Sequence, residues 1–274
     1  MPKYLKIIHD EDQIKWWYDY AMPPLLSNEI YFASLSLRKK KLTEEERKLV
    51  PHLEMFNKIQ IRHDTWESFI KGIRSLEQRI DAWFKSETED FINKAIVCYI
   101  NLTPIDCYKA CKDQLAYLTE VMTSLTDAAL KQYKPGLEDC FYKVRKSFDT
   151  CQSLFARNFG QKIWIDFDLD FPSIDRNFDE EIENIRNYFN KEFGIGNTLL
   201  IRTAGGLHCL VRRTVFKMNP QIIIGNLYLI FPETKEIVRN KNEMCSLPGT
   251  YMGDHITMVL NKNDFKEEHK LHKM

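Results

Sequence analysis

Three aspartates occupy alternate positions, 166, 168 and 170, in the segment Trp-Ile-Asp-Phe-Asp-Leu-Asp-Phe that ends at Phe171. In an extended chain alternate residues share a face, so these carboxylates project one way and Ile165, Phe167, Leu169 and Phe171 the other. Like charges so arranged repel one another and suit a strand poorly. A hard divalent cation with oxygen ligands would compensate them. The plainer alternative is an edge strand whose polar face is solvated. Further along, Gly205 and Gly206 permit a tight turn or the close approach of a ligand. His208 follows between Leu207 and Cys209, either as a site residue or as a core histidine satisfied by hydrogen bonds. Arg202, Arg212 and Arg213 flank the turn with positive charge of a kind suited to phosphate.

That local charge matters because the chain as a whole has none. Its 274 residues carry 39 basic and 39 acidic side chains, so no global field draws in a polyanion and any nucleic-acid site must be local. The cysteine count of 7 is odd and several lie in apolar runs, which fits free buried thiols in a reducing compartment better than a disulfide framework. Cys107 and Cys111 are one helical turn apart, but the paired short spacings of a structural zinc site are absent. No apolar run approaches the roughly 18 residues of a membrane span, so a soluble, cytoplasmic protein with no membrane partner is expected. No phosphate-binding loop of the GxxxxGK[ST] form occurs.

The elements that must position these residues divide into a helical first half and a mixed second half. Residues 1–60 read as largely irregular, with a strand candidate at Ile30–Leu37. The charged stretch from Arg38 to Lys48 reads as a loop and helix start capped by Thr43 and Glu46, or as a phosphate contact through Arg38–Lys41. Trp66, Phe69, Ile73, Leu76, Ile80 and Trp83 form an apolar helical stripe. Residues 95–102 read as a strand, and 106–131 and 137–159 as helices broken at Lys134-Pro135-Gly136. Beyond 160 the pattern gives a strand through the aspartates, a helix over 179–193 and two strands bent at Ala204-Gly205-Gly206. A helix over 219–230 and a final strand and loop follow, and then a charged, frayed tail. The expected partition is a mainly helical region, 1–158, a catalytic core, 159–262, and the tail, 263–274.

Taken together, Asp166-Phe167-Asp168 and Gly206-Leu207-His208 resemble the first two motifs of the archaeo-eukaryotic primase superfamily, which includes the primase-polymerases of phages and plasmids. A third family motif, a hydrophobic residue and an acid, precedes a Leu-Pro-Gly-Thr turn in the phage forms. Here Leu247-Pro248-Gly249-Thr250 supplies the turn. The hydrophobic-Asp form is absent, and Glu236 is taken as the acid, with Glu233, Glu243 and Asp254 as the other choices. The resemblance spans roughly residues 160–262. It implies an α+β fold whose core is an RRM-like mixed sheet, and a DNA primase or polymerase serving a phage or other mobile element. Asp166, Asp168 and Glu236 would be catalytic and hold Mg²⁺ or Mn²⁺. Gly206, His208, Arg202, Arg212 and Lys241 would bind nucleotide. The implied partners are single-stranded DNA template or primer, nucleoside triphosphates, and a helicase carried on a separate protein. Two further readings of the same residues stay open: a metal-dependent nuclease or phosphoesterase, and an inactive nucleic-acid-binding accessory protein on this scaffold.

Overall fold

The computed structural model describes residues 7–38, 42–49, 55–62, 65–79, 95–131, 136, 138–139, 142–143, 159–160, 162–171, 179–232, 234–240, 244–253 and 255–271. Along the chain the elements are α1 (Glu11–Ala21), β1 (Glu29–Leu37), α2 (Glu44–Leu49), β2 (Met55–Ile61), α3 (Trp66–Arg79), β3 (Ile96–Asn101), β4 (Ile105–Asp106) and α4 (Cys107–Leu130). Then come β5 (Trp164–Asp170), α5 (Asp179–Phe193), β6 (Thr198–Thr203), β7 (Gly206–Arg212), α6 (Pro220–Ile230), β8 (Glu236–Asn240), β9 (Met244–Ser246), β10 (Tyr251–Met252), β11 (His255–Ile256) and β12 (Met258–Val259). Two 3-10 turns, Lys262–Asp264 and Glu267–His269, close the described chain. The architecture is α+β, with six helices among the described residues.

Two compact units result. The first gathers Met1–Pro24, Tyr31–Thr103 and Lys162–Met274 and holds two sheets. One runs β11-β10-β3-β1-β2, with β9 also on β3; the other runs β12-β6-β7-β5-β8. The second unit, Leu25–Ile30 with Pro104–Gln161, contains the short pairing of Glu29 and Ile30 with β4, and the helix α4. Asp106 caps that helix by accepting from the Lys109 amide at 3.0 Å.

Helix ends follow the cap residues in the sequence. Thr43 and Glu46 close the expected capping box, Glu46 N donating to Thr43 Oγ1 at 3.2 Å and Thr43 N to Glu46 Oε2 at 2.8 Å. Asn219 caps α6, and α5 stops at Gly194, whose φ of +83° only glycine adopts cheaply. On α3, Phe69, Ile73 and Leu76 are buried as the stripe requires, and Gly72 lets the helix lie on Ile59 and Ile61 of β2. Ile80 and Trp83, and most of the helix expected over 137–159, lie outside the described residues.

Two expectations are corrected, and one is filled out: the first half carries, beside its four described helices, a sheet in which β1 lies between β2 and β3. The expected mixed sheet is antiparallel in every described pairing; a two-residue turn between β6 and β7 can join only antiparallel neighbours. Through Leu271 the tail is docked rather than frayed. Asn261 bridges Leu200 N and Thr198 O, at 2.9 and 2.8 Å. The Asp264 carboxylate pairs with Arg186 of α5, and Phe265 packs edge-on against Trp16 of α1. Among the described residues no helix is long and apolar enough to cross a membrane.

Candidate functional site

β5 is a central strand, with β7 on one side and β8 on the other. Its odd-numbered side chains settle which way the aspartates face. Phe167 and Leu169 are fully buried in a core with Leu200, Leu207 and Cys209 from the sheet, Ile185 and Phe189 from α5, and Ile223 and Leu227 from α6. Burying such side chains is worth about 1.5–3 kcal/mol each, so slippage by one residue, which would bring carboxylates under the helices, is strongly disfavoured. Asp166, Asp168 and Asp170 therefore occupy the face away from the helices. They are not on a solvated edge: Asp166 is 3% exposed.

Residues directly opposite in an antiparallel pair share a face. Asp168 stands opposite His208, Asp166 opposite Leu210 and Asp170 opposite Gly206. The imidazole lies between two carboxylates: its Nδ1 is 3.1 Å from each oxygen of Asp166, and its Nε2 is 3.6 Å from Oδ1 of Asp168. His208 is 8% exposed. Burial opposes its charge, but the Coulomb attraction and hydrogen bond of Asp166, with the charge of Asp168, outweigh it and raise its pKa to about 9. An imidazolium is thus the resident counter-ion. Asp168 is the accessible member, its side chain one-third exposed, and its pKa is raised, by burial first and then by Asp166 and Asp170, against the pull of His208 and Arg38.

Gly206 is required where strands β5 and β7 begin to pair. A Cβ there would collide with the carbonyl oxygen of Leu169, whereas one on Gly205 would meet nothing nearer than Asp170 Oδ1 at 3.5 Å and Arg38 Nη1 at 3.6 Å. The turn itself is tied down by Phe171 N donating to Gly205 O at 3.0 Å.

The other residues expected at the site are placed differently. Arg202 is opposite Leu207 and so lies on the reverse face of the sheet from His208. Arg212 is at the far end of β7, opposite Trp164; it donates to His269 O at 2.6 Å and its guanidinium lies 5.6 Å from the Trp164 ring centroid. Burial lowers its pKa. Glu236 is opposite Asp170, on the aspartate face but exposed, and one alternate position, about 7 Å along the strand, beyond the level of Asp168. Lys241, Glu233, Glu243 and Asp254 lie outside the described residues. The Leu247–Thr250 turn is a clasp for the N-terminal segment: His9 N and Asp10 N donate to Gly249 O at 2.9 and 3.0 Å.

Two side chains outside the expected site set also reach this region. Arg38, just past β1 and read from the sequence as loop or as phosphate contact, acts electrostatically on Asp168, and Asp168 acts on Tyr99 of β3. Val97, Tyr99 and Met252 of the first sheet pack on Ala204 of the β6–β7 turn. The signal for Arg38 was the alternation Ser34, Ser36, Arg38, which continues one face of β1.

The donor set suits a hard cation. Asp166 and Asp168 offer carboxylate oxygens on one face, balanced in the metal-free state by a proton on His208. Magnesium ions commonly take one or two protein carboxylates and fill the remaining positions with water and substrate phosphate. Among the described residues no three His, Cys, Asp or Glu side chains converge as a ready-made metal cluster. The three buried thiols are poor metal ligands: burial, and then Asp166 and Asp168, push Cys209 and Cys245 upward, and burial drives Cys98 up to about 12. No family model matches the chain, and no similar curated protein or solved structure was found.

Proposed function

We propose that this chain is a template-dependent nucleotidyltransferase of the primase-polymerase kind, adding nucleotides to a strand with the help of divalent metal. One observation carries the reading: an Asp166–His208–Asp168 arrangement, with Asp166 and His208 buried and Asp168 accessible, on one face of an antiparallel sheet whose other face is covered by two helices. In this reading Asp166 and Asp168 hold Mg²⁺ or Mn²⁺, which supplies charge neutralisation at the transferring phosphate. Asp168, being accessible, meets the substrate; Asp166, closed off, orients His208. His208 in turn carries positive charge toward the nucleotide phosphates. Such chemistry is chiefly positioning and electrostatic stabilisation.

The test is primer extension and de novo priming on single-stranded DNA with Mn²⁺ or Mg²⁺. Wild type is compared with Asp168→Asn and with the Asp166→Ala, Asp168→Ala double variant. Template-dependent products that fall by about a thousandfold in the variants are expected. No product from a folded wild-type protein that still binds DNA would overturn the reading in favour of an accessory protein. Shortening of the DNA in place of extension would favour a nuclease.

A further inference from the structure

We propose that Arg38 receives the phosphates of the incoming nucleoside triphosphate, an inference that rests on the nucleotidyl-transfer reading and adds an arginine to the charge of His208. The two arginines favoured by sequence are committed elsewhere, Arg202 across the sheet and Arg212 on His269. Arg38 is delivered from the other side. β1 and β3 pair without a slip from Ala33–Ile100 to Leu37–Ile96, which puts Ser34 opposite Tyr99 and Ser36 opposite Val97. Arg38 is the next residue on that face, its backbone fixed by donation to Ala95 O at 2.8 Å. Val97 and Met252 bring this face onto the β6–β7 turn. The guanidinium then lies with Nη1 3.9 Å from Met252 Sδ, and it flanks Gly205 together with the Asp170 carboxylate. It is half-buried.

A second observation concerns the same face. Ser34 and Ser246, the cross-strand neighbours of Tyr99, have buried hydroxyls with no hydrogen-bond partner among the described residues. A wall bearing a cation and unsatisfied hydroxyls opposite a carboxylate pair suits a polar anionic ligand bound along with metal. With a metal held by Asp166 and Asp168, the Arg38 fork would be free for phosphate oxygens, which a guanidinium can hold in bidentate fashion. Phosphate could come from a nucleotide or from a strand backbone; the position beside Asp168 and Asp170 favours the nucleotide.

The experiment measures three affinities for wild type, Arg38→Gln and Arg38→Lys: Mn²⁺ by electron paramagnetic resonance, and ATP against AMP and a single-stranded oligonucleotide by calorimetry with Mn²⁺ present. Arg38→Gln is expected to weaken ATP by about 10- to 100-fold, the effect of one charge-assisted contact. AMP, the oligonucleotide and Mn²⁺ should be held as before, and Arg38→Lys should recover part of the loss. Unchanged ATP affinity would overturn the assignment, as would a loss confined to the oligonucleotide. Loss of Mn²⁺ binding along with ATP would mark Arg38 as merely structural. A wild-type protein that binds Mn²⁺ but no nucleotide would instead remove the reading on which the inference rests.

Discussion

Asp168 and His208 face each other across β5 and β7, and the same imidazole turns its other nitrogen to Asp166 at 3.1 Å. One ring thus balances two carboxylates on adjacent positions of one face. Removing it by His208→Ala leaves buried acid without a counter-charge. The expected cost in metal-free protein is about 3–5 kcal/mol, read by urea unfolding in EDTA. Mn²⁺ should restore much of the loss in the variant, because the ion takes the place of the proton. A variant as stable as wild type in EDTA would show that the pair contributes nothing.

The same relationship fixes a pH dependence. The folded-state pKa of His208, about 9, lies above its ordinary value of 6.5. Protonation therefore stabilises the fold; the contribution is complete below about 6.5 and disappears as pH rises through 9. Melting temperature in EDTA is expected to decline across that window in wild type and to stay flatter in His208→Gln. Equal slopes would dismiss the imidazolium.

Neighbouring glycines should respond oppositely to alanine. Gly206→Ala sets a methyl against the Leu169 carbonyl and must part β5 from β7, at about 2–4 kcal/mol. Gly205→Ala has room and should stay within about 1 kcal/mol. Circular dichroism melts of the two variants give the comparison, and equal losses would refute the packing argument.

Arg186 holds the C-terminal segment through Asp264, whose carboxyl is drawn below its ordinary range first by that hydrogen bond. Its stabilisation is present above the unfolded pKa and lost as pH falls through the lower folded one. Asp264→Asn should cost about 1.5–3 kcal/mol and expose residues 262–271 to protease at neutral pH. Persistence of the intact segment would count against the clamp.

Thiol reagents should distinguish the cysteines. Cys98, Cys209 and Cys245 are buried with raised pKa values and are expected to label only on unfolding, whereas exposed Cys111 should label in the native protein. Peptide mapping after a timed pulse decides it.

Much of the site could be read before any fold was known, and the reason is local. Alternation assigns Asp166, Asp168 and Asp170 a common face, and the tight Ala204-Gly205 turn pairs β6 with β7, bringing His208 onto β5. Thr43, Asp106 and Asn219 mark their helices by the capping chemistry of their own side chains. The same hairpin parity that delivers His208 sends Arg202 to the reverse face, which a tally of positive charge near the turn cannot reveal. Arg38 continues the alternation of β1, but its arrival beside Asp168, like that of Tyr99, comes through a pairing between segments remote in sequence. β2 carries Asn57, Lys58 and Gln60 among its apolar residues and so reads as irregular. The tail hides Asn261, Asp264 and Phe265 among charged neighbours, although each has a partner on an earlier element.

The clasp at Gly249 has a consequence for folding. It receives backbone amides from His9 and Asp10, while β9 and β10 complete the edge of β3. The segment holding His9 and Asp10, and the edge of β3, therefore stay unsatisfied until residues remote in sequence reach them. Folding of this unit is then slowed by the long loop closure it requires. Before that closure the edge of β3 is an open template for another strand, which β9 and β10 blunt in the folded protein.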